Sequence, residues 1–302
     1  MAHDAIEWLT DLVLQATLRG EAVSPAALTL LLRRYAATGR DDVGDALGSA
    51  LAGALDAQST AGGDASRRPD WLALFSEAVL LTPDERLPAA VGTLATALRG
   101  EWPSGGTVAA AMRSLDACLS AVHVVDRGGH GDLAAAVVDE LERVVGAAYR
   151  PGQGVAHMLR PPVGAGRALD DHVDAASALA SAYFLTGRLP YAMLAEELTQ
   201  FARRTWWDDR AGAWAADEGG PAFEHFDTCC RAARVLCRLA VLHGDDDYRT
   251  AAVIAGGSDY ARDAERTLAS LAPAYRTHGI SAAIYGVALG EWLDLRPVRD
   301  AS

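Results

Sequence analysis

The stretch LDDHVDAASALASAYFLTGRLPYAMLAEEL (169–198) decides the fold class. Leu169, Val173, Ala176, Ala180 and Tyr183 follow one another at steps of four, three, four and three, which is one face of an α-helix. Asp170, Asp174, Ser177 and Ser181 form a second, polar face at the same rhythm. Gly187 suits the left-handed residue that ends a helix, and Pro190 suits the first turn of the next one. The stretch therefore reads as a helical hairpin.

The same layout recurs in LLRRYAATGRDDVGDALGSAL (31–51), FSEAVLLTPDERLPAAVGTLATAL (75–98), LSAVHVVDRGGHGDLAAAVVDEL (119–141) and CRLAVLHGDDDYRTAAVIA (237–255). Turns centre near Gly39, Pro83, Gly128, Gly187 and Gly244, at intervals of roughly 45 to 60 residues. Five hairpins use ten helices. An N-terminal helix near Ala5–Arg19 and a C-terminal one near Ile280–Leu293 remain, and pairing them makes a sixth hairpin. The expectation is an all-α protein: an (α/α)6 toroid of six helical hairpins, one domain over 1–302, with the sixth hairpin closed by the N- and C-terminal helices. An open α-solenoid is the architectural alternative, but apolar ends favour closure. Val and Ile alternate with polar residues over no convincing strand length.

The chain has 302 residues, half of them hydrophobic, and a net charge of -13. That charge argues against a surface that tracks nucleic-acid phosphates. No run of about 18 apolar residues is evident, so no membrane span is expected. The N-terminus lacks a basic flank before an apolar run, so a cytoplasmic location is expected. Cys118, Cys229, Cys230 and Cys237 show no C-x-x-C spacing and read as reduced, buried thiols. Lysine and asparagine are absent from the sequence. Schiff-base chemistry on lysine, a P-loop lysine and N-glycosylation are thereby excluded. No metal-ligand spacing stands out, and no cofactor is expected.

The connections between hairpins, 58–69, 99–106, 149–168, 206–222 and 272–279, are longer than the turns inside them. In the expected toroid they share one face and lead into the inner helices, where binding groups and helix N-termini converge. They hold or adjoin the candidate residues. His157, His172 and His225 are candidate proton carriers, with Asp171 and Asp227 as carboxylate partners. Trp102, Trp206, Trp207 and Trp214 could stack on a sugar ring, and Arg160, Asp170, Arg276 and His278 could bind its polar groups. Each has a plainer reading. Asp170, Asp171 and Asp174 spell D-D-x-x-D, a magnesium-diphosphate pattern, but the second metal triad is missing and helix capping explains the acids. His172 reads more readily as a surface or partly buried histidine, and Trp206 and Trp207 as core or hairpin packing.

LDDHVDAASALASAYFLTGRLPYAMLAEELTQFARRTWWDDRAGAW (169–214) resembles the helical region of thioredoxin-domain-containing proteins related to spermatogenesis-associated protein 20. The shared features are a Leu-Asp-Asp helix start, a Thr-Gly-x-x-x-Tyr turn, and Trp-Asp-Asp before a glycine-rich hairpin. The resemblance implies the fold of N-acylglucosamine 2-epimerase and the six-hairpin glycosidases. It departs from the family in two ways: the residues before it read as helical hairpins where the family carries a thioredoxin domain, and FEHFDTCC (223–230) replaces the usual Gly-Asn pair. Two functions stay open. One is a carbohydrate-active or carbohydrate-binding protein with its site in the funnel at the inner-helix N-termini. The other is a non-catalytic scaffold that binds a protein partner.

Overall fold

The computed structural model describes residues 2–60, 65–102, 106–127, 131–160, 168–215, 222–251 and 258–295. Its helices pair as the turn chemistry dictates. Helix α1 (Ala2–Leu18) leads to α2 (Pro25–Thr38) and α3 (Asp41–Thr60). Next come α4 (Arg68–Leu81) with α5 (Arg86–Glu101), α6 (Val108–Val125) with α7 (Leu133–Ala148), and α8 (Leu169–Thr186) with α9 (Leu189–Trp206). The long α10 (Ala222–His243) is followed by α11 (Asp246–Ala251) and α12 (Tyr260–Leu271). The short α13 (Tyr275–His278) and a 3-10 turn then lead into α14 (Ala283–Asp294).

The turns at Gly39 and Gly187 behave as the sequence leads one to expect. Gly39 and Gly187 sit at φ 64° and 67° and donate their amides back to Tyr35 and Tyr183. A side chain is disfavoured in that region, so glycine ends the helix there. Ser24 caps α2 with Pro25 in its first turn, and Asp259 caps α12. The expected turn centre at Gly128 lies outside the described residues. On either side of it, Asp126 accepts from the amides of Leu133 and Ala134 at the start of α7.

Backbone contacts divide the chain into two compact units. The first comprises 1–103, 117–137 and 276–287. Within it the C-terminal segment returns to the N-terminal helices. Arg276 lies over the Trp8 ring at 5.2 Å, and Gly286 approaches Leu9 and Leu30 so closely that a Cβ would stand 3.1 to 3.2 Å from their methyls. This is the sixth hairpin. Arg33 pairs with Glu77, and Arg34 with Glu7, across neighbouring helices.

The second unit comprises 104–116, 138–275 and 288–302. Its central helix is α8, eleven of whose residues are buried, among them Asp171, His172 and Asp174. Helix α9 packs on one side and α10 on another. Two small antiparallel hairpins stand in the long connections, where no strand was expected. Tyr149–Arg150 (β1) pairs with Gly154–Val155 (β2), and Trp207–Asp208 (β3) with Ala213–Trp214 (β4). Each strand has two residues, too short for alternation to register in the sequence.

Helix α6 corrects the membrane reading. By length and composition Val108–Val125 is apolar enough to cross a bilayer. More than half of it is buried inside the protein, and its Asp116 accepts hydrogen bonds from Ser177 and Ser181. Its apolarity is that of a core helix.

Candidate active site

Site chemistry gathers where α6 and α8 begin. Asp171, in the first turn of α8, is fully buried. One carboxylate oxygen accepts the Ala109 amide of α6 at 2.8 Å, and the other lies 2.7 Å from His157 Nδ1. His157 comes from the connection after β2. Its carbonyl accepts the Val108 amide at 2.8 Å, and the Leu159 amide donates to Gly106 at 3.0 Å. Two long connections, before α6 and before α8, are thus stitched together at His157. About a third of the His157 side chain remains exposed, whereas Asp171 has none.

Burial pushes the Asp171 carboxyl up to about 6, opposed by the hydrogen bonds from His157 and Ala109. His157 is raised above its ordinary value, chiefly by its hydrogen bond to Asp171. Both effects make the folded pair hold a proton more tightly. With that proton between Nδ1 and the carboxylate, Nε2 is the nitrogen left for exchange.

His172 follows Asp171 directly, yet its ring is fully buried. It stacks on Phe201 at 4.9 Å and meets Trp206 at 5.2 Å. Nδ1 lies 3.0 Å from the Ala168 carbonyl, and Nε2 lies 3.1 Å from the Val155 amide nitrogen. Asp170 stays half-buried and accepts the Asp171 amide at 2.9 Å. Arg160, three residues beyond His157 in the same connection, is exposed.

Below this the polar face of α8 continues inward. Asp174 forms an ion pair with Arg231 Nε of α10 at 3.0 Å, and Arg231 also reaches Asp227 at 2.6 Å. Ser177 and Ser181 donate to Asp116, and Arg238 donates to both serine hydroxyls. Arg234 grips Glu291 of α14. Asp227, Arg231, Arg234 and Arg238 repeat at four, three and four residues on α10, the rhythm already noted on α8. That periodicity was the available signal for these residues. The D-D-x-x-D acids thus face three different partners, and among the described residues no group of three acids, histidines or cysteines is arranged to hold a metal ion.

Burial pushes Asp174 up to about 7, against the pull of Arg231 and Arg113. Unfolded, an aspartate releases its proton near 3.8. The folded state therefore gains stability that is complete below that pH and is lost as pH rises through about 7. Between pH 5 and 8 the loss from this group should reach about 2–3 kcal/mol. Melting temperature should fall over that interval, and Asp174→Asn should flatten the fall. An equally steep profile in the variant would remove Asp174 as the cause.

The remaining candidates are placed differently. His225 Nε2 lies 3.1 Å from the Trp214 carbonyl and 3.5 Å from Cys229 Sγ. Among the described residues no hydrogen bond joins His225 to Asp227, or either of them to His157. Trp207 is set edge-on to Trp214 across the β3–β4 hairpin at 5.1 Å, donates to Asp209, and is flanked by Arg203 and Arg266. Trp102, Arg276 and His278 belong to the first unit. The four cysteines are buried and unbridged; burial pushes the Cys118 and Cys229 thiols up to about 12. They are not poised as nucleophiles.

No protein-family model and no curated protein matches the chain. Solved structures do. An unsaturated glucuronyl hydrolase from Bacillus sp. GL1 superposes with a TM-score of 0.73 over 98% of this chain and 97% of that one, at 12% identity. Another, from Streptococcus agalactiae and bound to a sugar, gives 0.69 over 96% and 91%, at 12% identity. An α-1,6-mannanase from Salegentibacter sp. HEL1_6, described as inactive with two consecutive aspartates replaced by asparagine, gives 0.65 over 95% and 98%, at 11% identity. Nothing in these comparisons ties the chain to the thioredoxin-domain proteins or to the epimerases. At such identity the likeness is one of fold, and the fold is the all-α (α/α)6 arrangement of six helical hairpins shared with these glycosidases.

Proposed function

We propose that the chain is a carbohydrate-active protein of the glycoside-hydrolase kind, with His157 as the proton carrier and Asp171 as its orienting partner. The observation that carries this reading is the His157–Asp171 contact: a fully buried carboxylate 2.7 Å from a partly exposed imidazole. Asp171 holds one ring nitrogen and favours the charged ring, leaving the other free to take a proton from water or give one to a leaving oxygen. Asp170, whose charge acts on both members of the pair, would bind hydroxyls of the sugar, and the exposed Arg160 is assigned to its acidic groups. The fold of known glycosidases adds weight, as does the parallel between Asp170–Asp171 and the consecutive aspartates of the mannanase. That parallel is one of residue type only.

His225 and Asp227 have no proton-transfer role in this proposal, because each is engaged with its own neighbours. Epimerisation would need a second base across the sugar carbon, and the described contacts bring none to His157.

The test is release of reducing ends from oligosaccharides that end in hexuronate, unsaturated hexuronate or α-linked mannose. One class should be cleaved, and His157→Ala should slow cleavage about 100-fold or more. No cleavage of any of them, together with no ligand-induced rise in melting temperature, would leave the protein-binding scaffold as the better reading.

A further inference from the structure

We infer that His172 is a positioning residue: it anchors the β1–β2 connection on α8 so that His157, two residues beyond that strand pair, reaches Asp171. The inference rests on the proposed role of the His157–Asp171 pair, but its geometry is independent of any substrate.

The Ala168 carbonyl can only accept, so His172 Nδ1 carries the hydrogen and donates to it across 3.0 Å. Nε2 then presents its lone pair to the Val155 amide at 3.1 Å. Both nitrogens are used, which separates this ring from His157. Val155 is itself buried, so its amide has no water to replace the lost acceptor. Gly154 confirms how closely the strand is pressed down. It sits at φ 75°, and a Cβ there would overlap His172 Nε2 and stand 2.9 Å from Phe201. The adjacent Ala156 amide donates to Ala148 at 3.0 Å. Consecutive residues on α8 point about 100° apart. Asp171 therefore grips the connection at His157 while His172 grips it at Val155.

The test is a set of substitutions read by nuclear magnetic resonance without any sugar. His172→Phe keeps a ring against Phe201 but removes both nitrogens. His172→Gln keeps an acceptor near the Nε2 position. In the unaltered protein His157 should titrate above about 6.5 and the Val155 amide should exchange slowly. His172→Phe should still melt cooperatively, while Val155 exchanges at least about tenfold faster and His157 moves down towards about 6.5. His172→Gln should restore both, at least in part. An unchanged His157 midpoint in a folded His172→Phe protein would overturn the inference. If that variant does not fold, the unaltered protein decides. Protection of Val155 matching that of Ala156 supports the anchor, and exchange at the unprotected rate refutes it. A protein that shows these shifts but cleaves no sugar would sink the proposed function and leave the anchor standing.

Discussion

Replacing Glu196 by alanine should destabilise the protein by about 3–5 kcal/mol, the range for removing one partner of a buried polar cluster. Glu196 is fully buried on α9. It accepts from His243 Nε2 at 2.6 Å, Tyr260 OH at 2.8 Å and Tyr248 OH at 3.2 Å. One carboxylate thereby ties α9 to the end of α10, to α11 and to α12. His243 and the Tyr248 and Tyr260 hydroxyls all lose this acceptor, and Tyr260 keeps the bond it accepts from Gln200. Each buried polar group left unsatisfied costs about 1–3 kcal/mol, and the vacated volume adds to the loss. Chemical denaturation would read the change as a lower midpoint at unchanged slope. Glu197, the next residue, is the natural control. It accepts from the half-buried Tyr149 at 2.6 Å, and its replacement should cost about 1 kcal/mol. Equal losses at the two positions would refute the clustered role of Glu196.

Asp171→Asn should lower the rate of the proposed hydrolysis about 10³–10⁴-fold while leaving the fold intact. Asparagine matches aspartate in shape, and its carbonyl oxygen can still accept the Ala109 amide. The group facing His157 changes. An amide nitrogen there donates, which sets the imidazole in the other tautomer and removes the charge that stabilises its protonated form. The sign on pH follows. His157 is raised by Asp171, so a rate that needs its neutral form climbs with pH through that raised midpoint. In Asp171→Asn the climb should begin at lower pH and reach a far lower plateau. A profile of kcat/KM against pH separates this from a folding defect, which lowers the plateau without moving the midpoint. A variant with an unshifted profile and near-normal rate would remove Asp171 from the mechanism.

The thioredoxin-domain resemblance rested on a hairpin with a Leu-Asp-Asp start and a Trp-Asp-Asp end. Those features are real local structure: Asp170 and Asp171 open α8, and Asp208 closes the β3–β4 turn by accepting from the amides of Arg210 and Ala211. Such features recur wherever a helix start or a tight turn needs them. They carried the fold correctly and the family link without further support.

What the sequence determined by itself was local and periodic. Helix positions follow from the spacing of apolar residues, and hairpin ends from Gly39, Gly187 and the proline and aspartate starts, because these depend on backbone torsions within a few residues. The polar stripe Asp170, Asp174, Ser177, Ser181 was legible for the same reason. Tertiary structure alone decided which candidates meet. His157 and Asp171 are 14 residues apart, joined by a connection whose path no periodicity encodes. His172 and Asp171 are neighbours in the chain, yet one secures the connection by its ring nitrogens and the other faces the proton carrier. Glu196 and Glu197 read alike, yet one gathers three donors in the core and the other bonds one half-buried tyrosine. Burial sets the value of each of these groups. Burial depends on what packs against a residue from distant parts of the chain, so only the folded structure assigns it.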